Sequence, residues 1–213
     1  MTALLAARWP SAVIEGIDSS PEMIAAASSL TTATVQFRLE TVEHWSMPDD
    51  CDVLFSNATL QWVPTHHELL SRWAQQLPAG GWIAFQVPGN FDASSHVLMR
   101  TLAASARYTP TTGSVLQHDV VGDPRSYAIA LQEAGLVVDA WETTYLHVLH
   151  GADPVLEWVR GTGLRPVLAA LTEDDAAAFT AEFGAQLRAA YPATSAGTLF
   201  PFRRVFVVAH RPG

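Results

Sequence analysis

One short stretch constrains the fold of this chain more than any other: an apolar run that ends in an acid and passes directly into a helix start. Residues 13–17 have the composition of a buried strand, and Asp18 closes the run. Ser20 then provides a helix N-cap, Pro21 fits the first helical position, and Glu22 complements the helix dipole. The stretch therefore predicts a strand followed at once by a helix, with Asp18 at the carboxyl end of the strand.

In an open α/β sheet, ligands bind at the carboxyl ends of the strands, where an acid can hold the two hydroxyls of a ribose. Asp18 is the strongest candidate for that role, although a surface acid that caps the next helix fits the same position. The glycine-rich loop that should precede such an acid by about 20 residues would lie before Met1. We therefore expect an N-terminally truncated fold whose first strand is missing.

Strand-like and helix-like segments alternate along the chain, which predicts an α/β fold with a mostly parallel sheet and helices on both faces. Residues 51–56 are apolar enough for a strand buried on both faces, and residues 65–68 predict a capping box. The predicted strands cover 13–18, 33–38, 51–56, 82–87, 136–141, an extension over 144–149 after a break, and 199–210. The predicted helices cover 20–29, 65–77, 94–107, 124–134, 153–160 and 172–190.

Length and composition indicate one domain over residues 1–213, with a cap-like insertion at about 88–122 and a helical insertion at about 150–195. The net charge is −9 and there is no basic stripe, so neither nucleic acid nor an anionic membrane is an expected partner. No segment has the length and apolarity of a membrane span or a convincing signal peptide. The single cysteine, Cys51, excludes an internal disulfide framework and is typical of the reducing cytoplasm.

A second candidate constellation follows the strand predicted over 51–56, so it opens onto the same crevice as Asp18. Asn57 and Gln61 supply amides, and Trp62 supplies a flat apolar face. This combination suits a polar ligand with an organic part. The alternative interpretation is an ordinary strand-to-helix loop with a packed tryptophan.

Three arginines lie among apolar residues near the C-terminus: Arg165, and the adjacent pair Arg203 and Arg204. An arginine in such surroundings is rarely left unpaired. Each one either binds an internal carboxylate or holds an anionic substrate with its planar fork. Tyr145 and His147 could donate hydrogen bonds to the same anion.

The eight histidines do not form a metal-binding pattern. His66 and His67 are adjacent and point in different directions on a helix, no His-Glu-x-x-His spacing occurs, and the others, His118 among them, are scattered. The nucleophile elbow of hydrolases and the phosphate-binding loop of nucleotide hydrolases are also absent from the sequence. We therefore expect no metal site, and neither a hydrolase of that type nor a nucleotide hydrolase.

Five segments together resemble the trans-aconitate 2-methyltransferase family, whose members are class I S-adenosylmethionine-dependent methyltransferases with a Rossmann-like fold. The resemblance extends over essentially the whole chain. The first segment occurs widely among such methyltransferases, whereas the last three point to the particular family. The segments are residues 14–23, 56–64, 141–147, 161–166 and 200–206.

The resemblance implies which residues bind S-adenosyl-L-methionine. Asp18 takes the position of the acid that holds the ribose hydroxyls, and Asn57 takes a position beside the methionine part. Ser19 and Thr41 complete the expected cofactor set, with Thr41 where the family usually has an acid near the adenine.

The resemblance also implies methyl transfer to a carboxylate of trans-aconitate, a small tricarboxylate. We expect the protein to be a monomer that binds neither nucleic acid nor membrane. The expected substrate-binding residues are Trp62, Tyr145, His147, Arg165 and Arg203. Because the sulfonium is already activated and a carboxylate is already a nucleophile, positioning should replace acid–base catalysis. Two alternatives stay open: a catalytically impaired fragment or small-anion-binding module of the same fold, and an enzyme that uses a dinucleotide or a nucleotide sugar.

Overall fold

The computed structural model describes residues 1–113, 115 and 121–213. These residues form two compact units, Met1–Asp50 and Cys51–Gly213. The first unit has two parallel strands, in which Ile14 lies opposite Val35 and Asp18 lies opposite Leu39. Its elements are helix α1 (Thr2–Arg8), strand β1 (Ile14–Asp18), helix α2 (Pro21–Ala27), a 3-10 turn (Ser28–Leu30) and strand β2 (Val35–Leu39).

The second unit contains one mixed sheet and seven helices within its described residues. The helices are α3 (His66–Gln76), α4 (Ser94–Ala103), α5 (Thr109–Thr112), α6 (Pro124–Glu133), α7 (Pro154–Arg160), α8 (Arg165–Ala170) and α9 (Glu173–Ala190). The strands are β3 (Val53–Asn57), β4 (Trp82–Pro88), β5 (Val137–Leu149), β6 (Ala193–Thr194) and β7 (Gly197–His210). A 3-10 turn, Leu60–Trp62, precedes α3.

The sheet of the second unit has the strand order β3-β4-β7-β5, with β6 paired to β7. Strands β3 and β4 are parallel, whereas β7 runs antiparallel to both β4 and β5. Strand β5 is continuous, and the predicted break within it is wrong. The reason is that β5 pairs with β7 at every position from Val137 opposite His210 to Leu149 opposite Thr198.

The two faces of this sheet differ in burial. One face packs against helices, and Tyr127 of α6 meets the Phe85 ring edge-on at 5.2 Å between ring centroids. On the other face, Val53 and Phe55 are 53% and 41% exposed. Residues 51–56 are therefore not buried on both faces as predicted, because only one face of β3 is covered. The buried face carries Leu54, Ile83, Phe85, Val87, Val205, Val207 and Ala209.

Two of the three N-caps predicted for α3, α6 and α9 form in the structure. Asp123 accepts a hydrogen bond from the Ser126 amide at 2.7 Å, and Thr172 accepts one from the Asp175 amide at 3.3 Å, so both predicted caps form. Thr65 makes no side-chain cap, because its backbone (φ −97°, ψ 18°) is not in the extended conformation that an N-cap adopts. The capping box predicted over 65–68 is therefore wrong.

A separate hydrophobic core lies under the helices that follow the sheet. Phe179, Phe183 and Leu187 of α9 are buried there, as the apolar spacing of that helix predicts. Phe200 of β7 belongs to the same core and ties the helices to the long β5–β7 ribbon. Helix α8 was not predicted, because a six-residue helix that follows two glycines and has Pro166 as its second residue is too short to show a period.

Candidate active site

Asp18 lies at the carboxyl end of β1, as predicted, and its surroundings leave one carboxylate oxygen available. Oδ1 accepts a hydrogen bond from the Ser20 amide at 2.8 Å. Ser20 in turn caps α2 by accepting a bond from the Met23 amide at 3.2 Å. Oδ2 makes no hydrogen bond within the described part of the chain. Asp18 thus shapes the turn and still presents an acceptor to a ligand.

Ser19 and Thr41 line one cleft within the first unit, with a volume of about 500 Å³. The Thr41 hydroxyl lies 3.2 Å from Nδ1 of His44, and Arg38 forms ion pairs with Glu15 and Glu40 at 3.3 and 2.7 Å. The cleft begins directly after Asp18, so the structure brings three of the predicted cofactor residues to the same strand ends. Its lining residues are Ser19, Arg38, Leu39, Glu40, Thr41 and His44.

Asn57 is the last residue of β3, and the backbone turns sharply after it. Ala58 has a φ of 55°, in the left-handed region that non-glycine residues rarely adopt. Two hydrogen bonds hold this turn. The Ala58 backbone amide donates to the Gln86 backbone carbonyl at 2.9 Å, and the Gln61 side-chain amide donates to the Ala58 carbonyl at 2.7 Å. Trp62 lies at the end of the following 3-10 turn and is 47% exposed. It is therefore not the packed tryptophan of the alternative interpretation.

Tyr145 and His147 point to the same face of β5, as residues two apart in a strand must. Their ring centroids are 6.3 Å apart. The His147 ring also packs on Trp158 of α7, at 4.7 Å between centroids. Its Nε2 is buried and has no hydrogen-bond partner among the described residues. The structure thus brings these two predicted substrate residues together.

Arg203 lies on the opposite face of the sheet, because it pairs with Thr144 in the β5–β7 register. Its Nε and Nη2 donate to one carboxylate oxygen of Glu142 at 2.9 and 2.7 Å, and its Nη1 donates to the Gly89 carbonyl at 3.2 Å. Arg203 was expected to bind a carboxylate of the substrate, but its guanidinium already binds the carboxylate of Glu142. This arrangement corresponds to the first of the two interpretations weighed for these arginines.

Arg165 begins helix α8 and is exposed. Its side chain forms no hydrogen bond or ion pair with any described residue. Tyr145 and His147, by contrast, lie on β5. Arg165 remains a candidate for an anion, on a different element from the other two.

Arg204, the other member of the adjacent arginine pair, lies on the same face as Tyr145. Its Nη1 donates to Oε1 of Gln86 at 2.7 Å, and its guanidinium carbon lies 5.9 Å from the centre of the Tyr145 ring. The alternation of β7 already indicated that Arg203 and Arg204 face opposite ways. Which face holds a carboxylate depends on the pairing with β5, which is not a local feature of the sequence.

His66 is buried and belongs to the framework of the second unit. Its Nδ1 lies 2.9 Å from the Val63 carbonyl, which can only accept, so Nδ1 carries the proton. Nε2 then accepts a hydrogen bond from the Tyr127 hydroxyl at 2.8 Å, and that hydroxyl accepts one from the Gly122 amide at 3.2 Å. Burial lowers the pKa of His66 below its usual 6.5. The chain of bonds fixes residue 122, at the end of the predicted cap-like insertion.

Two further findings concern metal sites and membrane-spanning helices. Within residues 1–113, 115 and 121–213, no group of three histidine, cysteine, aspartate or glutamate side chains could hold a metal ion. His118 lies outside these described residues. No described helix has the length and apolarity needed to cross a membrane.

Comparison with known proteins defines the class of this protein. Residues 1–85 match a family model described as a methyltransferase domain. Among solved structures, a putative sarcosine dimethylglycine methyltransferase from Galdieria sulphuraria aligns with a TM-score of 0.55 at 14% identity, over 98% of this chain and 74% of that one. Phosphoethanolamine N-methyltransferase 2 from Haemonchus contortus aligns with a TM-score of 0.52 at 15% identity, over 99% of this chain and 46% of that one. The chain therefore has the Rossmann-like methyltransferase fold, which confirms the predicted fold class.

Curated relatives identify the family. The trans-aconitate 2-methyltransferase of Streptomyces avermitilis is 52% identical over 99% of this chain and 81% of its own length. The enzyme of the same name from Streptomyces coelicolor is 52% identical over 100% of this chain and 73% of its own length. The enzyme of that name from Rhodococcus jostii is 50% identical over 98% and 82%. The chain belongs to the trans-aconitate 2-methyltransferase family, and the resemblance inferred from the sequence is confirmed.

Proposed function

We propose that this protein transfers the methyl group of S-adenosyl-L-methionine to a carboxylate of trans-aconitate. The observation that carries the proposal is the 52% identity, over 99% of the chain, with a relative named trans-aconitate 2-methyltransferase. The match is not confined to residues 1–85, which match the general methyltransferase domain model. It includes the later segments, where residues for a particular acceptor should lie.

The residues of the first unit suit an adenosine. Asp18 offers an unused carboxylate oxygen at a strand end, which can accept bonds from ribose hydroxyls. Ser19 and Thr41 line the adjacent cleft with hydroxyls. We propose that these three residues hold the adenosine part of S-adenosyl-L-methionine. In the second unit, Asn57 supplies an amide at the end of β3, and we propose that it contacts the methionine part.

The chemistry asks little of the protein beyond positioning. The bound cofactor supplies an activated methyl group: a carboxylate oxygen forms a bond to the methyl carbon while the carbon–sulfur bond breaks, the electron pair leaves with sulfur, and no proton moves. The protein side chains therefore hold the acceptor in line and exclude water from its attacking oxygen. This requirement agrees with a candidate site that contains amides, hydroxyls, aromatic rings and cations.

We propose that Tyr145, His147, Trp62 and Arg165 bind the acceptor. Tyr145 and His147 share a face of β5 with an unpaired buried nitrogen on His147, so they can donate to a carboxylate. Trp62 offers an exposed ring and Arg165 an exposed cation. Arg203 was predicted to serve as well, but its bonds to Glu142 favour a structural role for it.

We further propose that the protein acts as a monomer in the cytoplasm, as a single methyltransferase domain with two insertions. Its partner is then a small tricarboxylate and neither nucleic acid nor a membrane. The net charge of −9 supports this assignment, because it disfavours binding to polyanions.

The test is a direct assay of the purified full chain with S-adenosyl-L-methionine. Mass spectrometry follows the formation of S-adenosylhomocysteine with trans-aconitate, with its cis isomer, and without an acceptor. The proposal expects turnover with trans-aconitate well above the other two reactions. Binding of trans-aconitate without any methyl transfer would instead indicate an anion-binding module of the same fold and contradict the proposal.

A further inference from the structure

Two adjacent arginines of β7 have opposite electrostatic surroundings. Arg203 forms an ion pair with Glu142, so a carboxylate of the protein itself neutralises its charge. Arg204 lies on the other face, and no carboxylate among the described residues forms an ion pair with it. Its one side-chain hydrogen bond within that part of the chain goes to the neutral amide of Gln86, at 2.7 Å. Arg204 is therefore a half-buried cation that lacks an anion.

The surroundings of Arg204 strengthen its attraction for an anion. Its guanidinium carbon lies 5.1 Å from the Phe202 ring centre and 5.9 Å from that of Tyr145. The apolar rings reduce the local dielectric constant, which increases the interaction with an opposite charge. Nη1 is committed to Gln86, whereas Nε and Nη2 keep the fork that matches a carboxylate.

Gln86 supplies a second, independent observation at the same place. Its side chain is only 5% exposed, and Oε1 accepts the bond from Arg204. Nε2 of the same amide is buried and has no hydrogen-bond partner among the described residues. A buried donor without an acceptor costs free energy that a bound carboxylate oxygen would recover.

The sheet register puts this pair beside the expected reaction site. Gln86 lies opposite Asn57 on β3 and opposite Phe206 on β7, and Arg204 precedes Phe206 by two residues. Asn57, Gln86 and Arg204 thus point to one face at the carboxyl ends of the parallel strands. That edge is where ligands bind in α/β sheets.

We propose that Arg204, oriented by Gln86, anchors a non-reacting carboxylate of the tricarboxylate substrate. This inference rests on the proposed function. A guanidinium bound to the attacking oxygen would weaken it as a nucleophile, so Arg204 binds a different carboxylate and leaves the acceptor free. Tyr145 stands next to Arg204 and can donate to the same carboxylate. Arg204 is in these terms a specificity residue for acids that carry more than one carboxylate.

The experiment compares substitutions that keep the shape of the site. Arg204→Lys retains the charge and loses the planar fork. Gln86→Glu is nearly isosteric and places an internal carboxylate on Arg204, so it competes directly with the substrate. Arg107→Lys is the matched control, because Arg107 pairs with Asp175 on an exposed surface. Trans-aconitate and, separately, S-adenosylhomocysteine are titrated into each full-length protein by calorimetry, with melting temperatures recorded alongside.

We expect Arg204→Lys and Gln86→Glu each to raise the Kd for trans-aconitate at least tenfold, about 1.4 kcal/mol. The affinity for S-adenosylhomocysteine and the melting temperature should stay close to those of the control. An unchanged Kd for trans-aconitate in both variants overturns the inference. So does a joint loss of substrate affinity, S-adenosylhomocysteine affinity and melting temperature in both variants, because that pattern belongs to a structural arginine.

The wild-type protein separates this inference from the proposed function. If wild type methylates trans-aconitate and both variants behave like it, the inference about Arg204 fails while the proposed function stands. If wild type neither binds nor methylates trans-aconitate, the proposed function fails and takes the inference with it.

Discussion

Asn90 holds the main chain of Arg203 from both sides: its Nδ2 donates to the Arg203 carbonyl at 3.0 Å, and its Oδ1 accepts from the Arg203 amide at 2.8 Å. The Arg203 side chain adds a bond to the Gly89 carbonyl at 3.2 Å and an ion pair with Glu142. The segment that leaves β4 is therefore fixed to β7 at the point where the predicted cap-like insertion begins. Arg203 and Asn90 together form a structural joint.

The first prediction concerns the stability of this joint. Asn90 is 7% exposed, and Asn90→Ala leaves the Arg203 backbone amide without its partner, while the Arg203 carbonyl keeps only its bond from the Gly89 amide at 3.0 Å. The substitution should cost about 1–3 kcal/mol of unfolding free energy. Arg203→Lys should cost less, about 1 kcal/mol or below, because the ion pair is partly exposed to solvent, with the Glu142 side chain 47% exposed. Urea unfolding followed by circular dichroism measures both, with the exposed Asp92→Asn as control. Equal stability of Asn90→Ala and wild type would contradict this account.

The second prediction compares two buried tyrosines. Tyr127→Phe removes the donor to Nε2 of the buried His66 and should destabilise the protein by about 1–3 kcal/mol. Tyr108→Phe is the matched control, because the Tyr108 hydroxyl is buried without a hydrogen-bond partner among the described residues. Its removal should be neutral or stabilising. Similar losses for both variants in urea unfolding would mean that the His66–Tyr127 bond does not carry the effect.

The third prediction follows from the pKa of His66, which burial lowers below 6.5. Below about pH 6.5, the imidazole of His66 takes up a proton in the unfolded chain but resists protonation in the folded chain. The free energy of unfolding contributed by His66 is therefore fully present above about pH 6.5 and falls as the pH drops toward the lowered folded value. His96, whose pKa burial also lowers, acts in the same direction.

The contribution of His66 is measured as a difference between proteins. Urea unfolding of wild type and of His66→Gln is recorded from about pH 8 to pH 5. The stability of wild type should fall more steeply with decreasing pH than that of the variant, since His96 titrates in both. Parallel curves would show that His66 does not titrate differently in the two states.

The fourth prediction concerns the cofactor. Asp18→Ala should weaken binding of S-adenosyl-L-methionine by about 1–3 kcal/mol, the range for hydrogen bonds to a charged group. Asp18→Asn keeps an oxygen that can accept from the Ser20 amide, so it separates the loss of charge from the loss of the turn. Calorimetry gives the affinities, and Asp49→Ala serves as the exposed control in the same unit. Unchanged affinity in a folded Asp18→Ala protein would return Asp18 to the role of a turn residue.

Local patterns allowed most of the elements to be predicted, because strands, caps and turns depend on neighbouring residues. Asp123 and Thr172 form the predicted caps, and β1 ends at Asp18 as expected. The burial of β3 could not be predicted, since whether Phe55 is covered depends on which elements pack on that face. Composition alone made the strand look buried on both sides.

In the candidate site, too, some residues could be predicted from local sequence and others could not. Asp18 and Asn57 were predicted because the ends of strands are readable from the sequence. The difference between Arg203 and Arg204 was not, because it depends on Glu142, which is 61 residues away from Arg203 along the chain and adjacent only through the β5–β7 pairing. Non-local pairing thus decides which arginine is free for a ligand.

The most direct test of the central claim, methyl transfer to a carboxylate oxygen, is to locate the transferred methyl group. The full chain is incubated with trans-aconitate and S-adenosyl-L-methionine labelled with ¹³C in the methyl group, and the product is examined by long-range proton–carbon NMR correlation. The account predicts labelled methyl protons that correlate with a carboxyl carbon of the acid, as in a methyl ester. A methyl group attached to carbon, or consumption of the cofactor without a labelled acid, would contradict it.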